Sequence, residues 1–337
     1  MKRLPARLGR IGPPVLSIAL LGLLLSTPLA AAEAADLGDE GITMAVENEL
    51  FYDKAVDQDR IDVVTVEGIV TLSGTTNNIL AKERAARLAE TVSGVRSVVN
   101  RIEVAPAVLR DDAGILRDVE TALLMDPAAE SYEVNPAVED GTVILTGSVQ
   151  SWQEKRLAGR VARGVRGVTA VRNEITVDYE MDRPDGEILT EVQGALRWDA
   201  YVDHALIDVT VDNGRVVLSG TVGSAAEKRR AEADAWVVGT TQVDATGLEV
   251  AYWARDPLLR GDKYEDVSDS EIEAAIRDAL LFHPRVYSFE LAVTVENGIA
   301  TLRGVVDNIR ARRAAGDVAR RTVGVRAVEN RIKVRPS

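Results

Sequence analysis

The amino-acid sequence predicts an α+β protein: four tandem α-β-β-α-β two-layer sandwiches. Three observations carry this reading. A pair of glycines recurs four times in similar surroundings. An aliphatic stripe of helical period precedes each pair. A capped helix and an apolar strand follow it.

Internal repetition is sought first, because it decides the architecture. The glycine pairs lie in VEGIVTLSG, EDGTVILTG, DNGRVVLSG and ENGIATLRG. The first glycines are Gly68, Gly141, Gly214 and Gly298; the second are Gly74, Gly147, Gly220 and Gly304. Both series are spaced 73, 73 and 84 residues apart. The longer last interval places extra residues around Trp253 to Val267, a stretch with Pro257 and several charges that reads as a linker.

Upstream of each pair run Ile42, Val46 and Leu50; Ile115, Val119 and Leu123; Ile188, Val192 and Leu196; Ile272, Ile276 and Leu280. Within a unit these are i, i+4 and i+8, one face of an amphipathic helix that packs into a core.

The glycine segments read as β-hairpins. Asn213-Gly214, Asn297-Gly298 and Asp140-Gly141 are two-residue turn signals, because a type I′ turn needs positive φ; Glu67-Gly68 is a weaker version. Apolar residues then alternate, as in Val70 and Leu72, giving a half-buried strand. The second glycine follows at once and marks close backbone packing or a bend.

Asn78, Ser151, Ser224 and Asn308 come next, all good helix N-caps, and Ser151 with Glu154 and Ser224 with Glu227 read as capping boxes. The helix buries Ala85, Leu88, Ala89 and Val92 in the first unit and Ala315, Val318, Ala319 and Thr322 in the fourth. It is expected to end at Gly94, Gly167, Gly239 or Gly324, before a last strand such as Val98 to Val104. The resulting units are residues 40–106, 111–180, 185–252 and 268–337, with the linker at 253–267. Two helices on one face of a small sheet form a two-layer sandwich.

These units resemble the BON domain. The matching residues are the apolar first helix, the turn glycine with V-x-L-x-G, the Ala-rich second helix, and closing segments such as GVRSVVNRIEV (Gly94 to Val104), GVTAVRNEITV (Gly167 to Val177) and GVRAVENRIKV (Gly324 to Val334). The third unit departs from the pattern: GTTQVDATGLEV (Gly239 to Val250) is one residue longer and lacks the asparagine, and Asp234 stands where the other helices are apolar. A distorted or less stable third unit is expected. The resemblance implies an exported protein of envelope and osmotic stress tolerance. In several family members it implies binding to anionic phospholipid or aid to outer-membrane protein folding. It does not imply catalysis, and no lipid-contact motif carries over residue by residue.

The first residues read as an export signal. Lys2, Arg3, Arg7 and Arg10 precede the apolar run Val15 to Leu25, and Ala30 and Ala32 suit signal peptidase. Residues 1–32 are therefore expected to be removed, giving a periplasmic chain that begins near Glu33; an uncleaved anchor is the alternative. No cysteine follows the apolar run, so no lipoprotein anchor is expected.

Composition leans away from an enzyme. The 337 residues include no cysteine and two histidines, His204 and His283, which removes thiolate chemistry and leaves little for a histidine cluster. His204 reads as lying in a loop and His283 at a helix end. Asp57, Asp59 and Asp62 offer oxygen ligands for calcium but lack the EF-hand glycine and terminal glutamate in register, so a solvated loop is favoured. Trp152 and Trp198 read as local packing. No catalytic residue, metal or cofactor is expected.

Removing four bases and no acid takes the net charge from −13 to −17, which argues against a nucleic-acid partner. The first three units carry −4, −6 and −7, and the fourth carries +3. On the second helix of that unit, Arg310, Arg313, Arg320 and Arg321 fall on one arc opposite the apolar face, and Arg312 flanks it. These five are the candidate contacts for an anionic phospholipid surface, the expected weak and peripheral partner. The alternative for this face is a solvated surface, or a docking surface for an acidic neighbouring unit. At the level of function the alternative is a periplasmic chaperone or scaffold for exported or outer-membrane proteins.

Overall fold

The computed structural model describes residues 38–126, 134–179, 183–255, 267–281, 283, 285–286 and 290–335. The predicted export signal at 1–32 and residues 256–266 of the predicted linker lie outside the described residues.

The first repeat runs α1 (Asp39–Tyr52), β1 (Ile61–Val66), β2 (Ile69–Thr76), α2 (Ile79–Ala89), β3 (Ser97–Asn100) and β4 (Glu103–Val104). The second runs α3 (Asp112–Leu124), β5 (Val134–Glu139), β6 (Thr142–Val149), α4 (Trp152–Arg163), β7 (Ala170–Asn173) and β8 (Thr176–Val177). The third has α5 (Asp185–Trp198), β9 (Ile207–Asp212), β10 (Arg215–Val222), α6 (Ala225–Asp234) and β11 (Gln242–Val250). The fourth has α7 (Asp269–Leu281), β12 (Ala292–Glu296), β13 (Ile299–Arg303), β14 (Val305–Val306), α8 (Ile309–Arg321), β15 (Ala327–Asn330) and β16 (Lys333–Val334).

In each repeat the hairpin strands pair antiparallel and the closing strand adds parallel to the second hairpin strand, as in Val66↔Ile69 and Ile69↔Ser97. The hairpins close on two residues with positive φ: Glu67 and Gly68 at 51° and 73°, and Asn297 and Gly298 at 50° and 73°. This is a type I′ turn, whose twist matches the strands. The second glycine marks a close approach. A Cβ on Gly74 would stand 2.2 Å from the Arg60 carbonyl oxygen, and one on Gly220 the same distance from that of Leu206.

The aliphatic stripe of the first helix is buried in all four repeats and joins the small residues of the second helix and the inward residues of the strands. Leu50, for example, packs with Val70, Leu72, Ala85 and Ala89. Truncating such a leucine costs about 2–5 kcal/mol. Each predicted N-cap accepts from the amide three residues on: Asn78 from Ala81, Ser151 from Glu154, Ser224 from Glu227 and Asn308 from Ala311. In the two capping boxes the glutamate reaches the amide before the cap, that of Gln150 or Gly223.

Three details differ from the expectation. The second helices end at Ala89, Arg163, Asp234 and Arg321, three to five residues before Gly94, Gly167, Gly239 and Gly324. Those glycines, at φ 83° to 96°, turn the chain into the closing strand instead. The start of the predicted linker is packed: Tyr252–Arg255 form a 3-10 turn with Ala254 fully buried, and Arg255 lies over Gly223. In the third repeat the added residue is absorbed in β11, where Val217 pairs with Asp244 but Ser219 with Gly247.

Candidate functional site: an arginine-rich seam between repeats

The second helices do more than cover their own sheets. Arg163 near the end of α4 bonds Glu83 of α2 at 2.7 Å. Glu90 at the end of α2 bonds Arg229 of α6 at 2.5 Å and accepts from the Ala226 amide. Trp236 just past α6 stacks on Trp152 at the start of α4, with ring centroids 4.8 Å apart and planes at 7°. Its carbonyl accepts from Gln153. Thus α2, α4 and α6 close a head-to-tail triangle, the end of each meeting the body or start of the next. Tyr179 of the second repeat ties the same junction by donating to the Thr240 carbonyl, and burial raises its pKa to about 12.

The fourth repeat docks beside this triangle. Its Val323 amide donates to the Trp198 carbonyl, and the Ala200 amide donates to the Arg321 carbonyl. Arg285 makes two hydrogen bonds, at 3.0 and 2.7 Å, to the buried Asp126 of the second repeat, and Arg310 adds a third at 2.7 Å. The Trp152 ring therefore packs both within its own repeat, under Arg156, and against the third, on Trp236, while the Trp198 ring packs locally under Arg197 and its backbone carbonyl reaches the fourth repeat. The four repeats form one compact body.

Asp126 shows how repetition was bent to this purpose. In the repeat register it matches Asp53 and Asp199, with His283 in the fourth unit. Asp53 pairs with Arg84 and Asp199 with Arg230, the equivalent arginine in each repeat. In the second repeat that arginine position is Leu157, and Asp126 is neutralised by the fourth repeat instead.

Around this junction cations outnumber acids. Burial above all, and then Arg160, lower the pKa of Arg156 to about 10, with Arg229 and Arg230 also close and Asp234 opposing. Arg156 lies over the Trp152 ring, 4.5 Å from its centroid. Burial also lowers the pKa of Arg160, helped by Arg285, Arg321 and Arg163. His283 is half-buried and accepts from the Arg285 amide; burial, with Arg285, Arg160 and Arg321, lowers its pKa to about 4. Asp234 is enclosed beside Asp199. Burial first, then the Asp199 charge, raises its pKa well above the ordinary value, while Arg230 and Arg321 oppose the shift.

The five candidate lipid contacts on α8 separate. Arg310, Arg313, Arg320 and Arg321 are exposed and Arg312 is half-buried. Arg310 is engaged by Asp126, so part of the arc is a docking surface for an acidic residue of another repeat. Arg312 donates to the Asn330 carbonyl, Arg320 pairs with Asp317 on its own helix, and Arg321 lies by the seam. Arg313 makes no ion pair among the described residues.

Other candidates are placed plainly. Asp57, Asp59 and Asp62 are exposed, and among the described residues no group of His, Cys, Asp or Glu side chains is arranged to hold a metal. His204 opens a 3-10 turn, His204–Leu206. The eight glycines sit at positive φ. Reading the sequence missed two recurring contacts. Asp39, Asp112, Asp185 and Asp269 each accept from both turn amides of their own hairpin. The asparagine of the closing segment, in Asn100, Asn173 and Asn330, donates to a carbonyl of the second helix and accepts from the amide two residues on.

Fold and seam together define a class: a tandem-repeat α+β protein whose modules are docked through their second helices. The chain belongs to the BON family, whose domain model matches residues 38–106, 111–179, 184–251 and 268–336. It is 30% identical over 145 residues to osmotically-inducible protein Y of Escherichia coli (strain K12), covering 41% of this chain and 72% of that one. It is 29% identical over 140 residues to outer membrane lipoprotein DolP of Haemophilus influenzae, covering 40% and 72%. A 21 kDa hemolysin of Actinobacillus pleuropneumoniae is 33% identical over 116 residues, covering 33% and 59%. Among the described residues no helix is long and apolar enough to cross a membrane.

Proposed function

We propose that this BON protein is a non-enzymatic periplasmic protein of envelope and osmotic stress tolerance that binds anionic phospholipid through α8. The carrying observation is the outward arginine face of α8, on the one repeat with a net positive charge. The names of two relatives, an osmotically inducible protein and an outer membrane lipoprotein, support the compartment and the stress role. A guanidinium near an anionic surface contributes about 1 kcal/mol, and salt weakens it. Three or four such contacts give weak peripheral binding.

Flotation of the purified chain with vesicles tests this reading. Association with anionic but not zwitterionic vesicles is expected, and it should fall with salt. Arg313→Glu with Arg320→Glu should abolish it without unfolding the repeat, since among the described residues neither side chain pairs with another repeat. Undiminished flotation of that variant would sink the reading.

A second reading, a chaperone or scaffold for exported polypeptides, has its own observation. The outer sheet face of the first repeat exposes Val64, Val66, Ile69 and Val99, in adjacent rows of the register. The equivalent positions of the second repeat are Ala137, Glu139, Thr142 and Arg172. Suppression of client aggregation that survives salt and is lost on Val64→Lys with Val66→Glu would favour this reading.

A further inference from the structure

The outer sheet face of the first repeat differs in kind from the other three. Its side chains stand in rows across the sheet: Val66, Ile69 and Ser97, then Val64, Thr71 and Val99, then Asp62 and Ser73. Arg101 completes the third row, because its amide bonds the Leu72 carbonyl and carries the parallel register on from β3. Asp62, Val64, Val66, Ile69, Val99 and Arg101 are all exposed. Aliphatic side chains beside an open strand edge are a hazard that proteins blunt with charge or proline. The other repeats do so. The second has Pro136 in β5, with Glu139 and Arg172 at the positions of Val66 and Val99. The third has Asp212 at the first of these and an Arg215–Asp244 pair beside it. The fourth has Glu296 and an Arg331–Glu329 pair.

The charges of the first repeat are placed differently. Asp62 lies on β1 at one edge of the sheet and Arg101 at the opposite edge, two strand spacings or about 10 Å away. Neither makes an ion pair among the described residues. Consider two copies laid face to face about a two-fold axis that runs along the central strand β2. The rotation exchanges the two edges. It sets Asp62 of one copy on Arg101 of the other, Val64 on Val99, Ile69 on Ile69 and Thr71 on Thr71. One row further, Glu103 lies on β4 opposite Thr75, and exposed Arg60 ends the 3-10 turn that leads into β1. The same rotation brings Glu103 of one copy towards Arg60 of the other. The face is thus complementary to itself in charge as well as in apolar surface. No other repeat has that property. In the third repeat the operation sets exposed Arg215, on the central strand, against its own copy, and in the fourth it does the same to Arg303. In the second it sets Glu139 on Ala170 and Arg172 on Ala137, so no charge meets its opposite.

We propose that two copies of this chain pair through the outer sheet face of the first repeat, in a two-fold contact along β2. Sheets stacked in this way lie about 10 Å apart and cross at about 30°. The contact is isologous: each surface patch meets itself. Three short strands make a patch smaller than the ~800 Å² per partner of a standard interface, so the pair is weak and forms at high protein concentration. A client polypeptide also fits the valines, but it supplies no reason for opposite charges to stand on opposite edges.

The test is sedimentation velocity of the purified chain over a range of concentrations. A rise in mass from one chain towards two is expected. Asp62→Arg sets like charges together twice in each pair and should weaken pairing about tenfold, and Arg101→Asp should do the same. Mixing these two variants should form pairs that neither forms alone, because every charge then meets its opposite. Ile69→Lys, on the two-fold axis, should abolish pairing, and neither charge variant should rescue it. All three positions are exposed, so the melting curves should stay close to the parent's. The mixing arm holds even if a single variant loses stability, since restored pairing needs both surfaces. A chain that stays single up to its highest soluble concentration would overturn the proposal. So would pairing that survives Ile69→Lys, which places the contact elsewhere, or a mixture no heavier than its components. A single chain whose suppression of client aggregation is lost on Val64→Lys with Val66→Glu would also overturn it, and would assign the face to extended polypeptides. Arg313→Glu with Arg320→Glu leaves this face intact and should pair as the parent does, so failure of the α8 reading and failure of this one are told apart.

Discussion

The carboxylate of Asp112 accepts the Gly141 amide at 2.9 Å across 29 residues of chain, and its second oxygen accepts the Asp140 amide at the same distance. Asp112 begins α3, so one side chain fixes the start of the first helix to the tip of the hairpin. An aspartate also suits the positive end of a helix dipole. The same clasp joins Asp39, Asp185 and Asp269 to their own turns.

Asp112→Ala should therefore destabilise the second repeat by roughly 2 kcal/mol, the scale of losing hydrogen bonds to a charged acceptor. Hydrogen exchange at the Asp140 and Gly141 amides should speed up while exchange in the first repeat stays unchanged. Unaltered exchange at both amides would show the clasp to be dispensable.

Gly298→Ala tests the turn itself. The residue sits at φ 73°, and a Cβ there would stand 2.9 Å from the Gly324 carbonyl oxygen. The left-handed backbone alone costs a non-glycine residue about 1–2 kcal/mol. A lower melting temperature is expected for the fourth repeat, and a melt superimposable on the parent would refute the turn's role.

What was legible in the sequence follows a physical line. The stripes of Ile42, Val46 and Leu50 and their counterparts were legible because burial within one repeat imposes a local period. The turn glycines were legible because φ restricts residue type. The Asp112 clasp was present in the same register, an aspartate 29 residues before every turn glycine, but a lone aspartate beside a helix start is ordinary enough to pass as a surface residue. The contacts of Trp152 and Asp126 had no local signal, whereas the arginine arc itself pointed to docking on an acidic neighbouring unit as one alternative, which is what Arg310 does. Helical geometry puts Arg310 on the outer arc of α8, but which repeat faces that arc depends on how whole modules dock.

Asp234 should make stability depend on pH. Its neighbours in the repeat register are Leu88, Val161 and Val318, so a carboxyl replaces an aliphatic group. Its pKa is raised by burial and by Asp199, with Arg230 and Arg321 opposing and Arg156 nearby. A raised folded-state pKa means that the proton favours the fold. This contribution is fully present below the unfolded value of about 3.9 and is lost as pH rises through the folded value. Asp234→Asn should melt like the parent near pH 3.5 and progressively above it towards pH 7. A constant difference between the two at every pH would exclude this role.

Asp126 joins the architecture to the proposed membrane contact. It is fully buried and held by Arg285 and Arg310 of the fourth repeat. Removing one partner of a buried ion pair is strongly destabilising, by about 3–5 kcal/mol, because the other charge is left uncompensated. Arg285 is nearly enclosed and bears most of that cost, whereas Arg310 keeps 58% of its side-chain surface exposed and can turn to solvent. Asp126→Asn should thus loosen the fourth repeat from the second, seen as faster exchange or earlier proteolysis in 267–335, while each repeat keeps its own core. The same variant frees Arg310 to join Arg313 and Arg320 on the outer face of α8. If that face meets anionic lipid, vesicle binding by Asp126→Asn should rise even as the chain becomes less stable, and Arg310→Gln in the same background should cancel the gain. Flotation that falls in step with stability would show that Arg310 belongs to the seam alone and takes no part in the membrane contact.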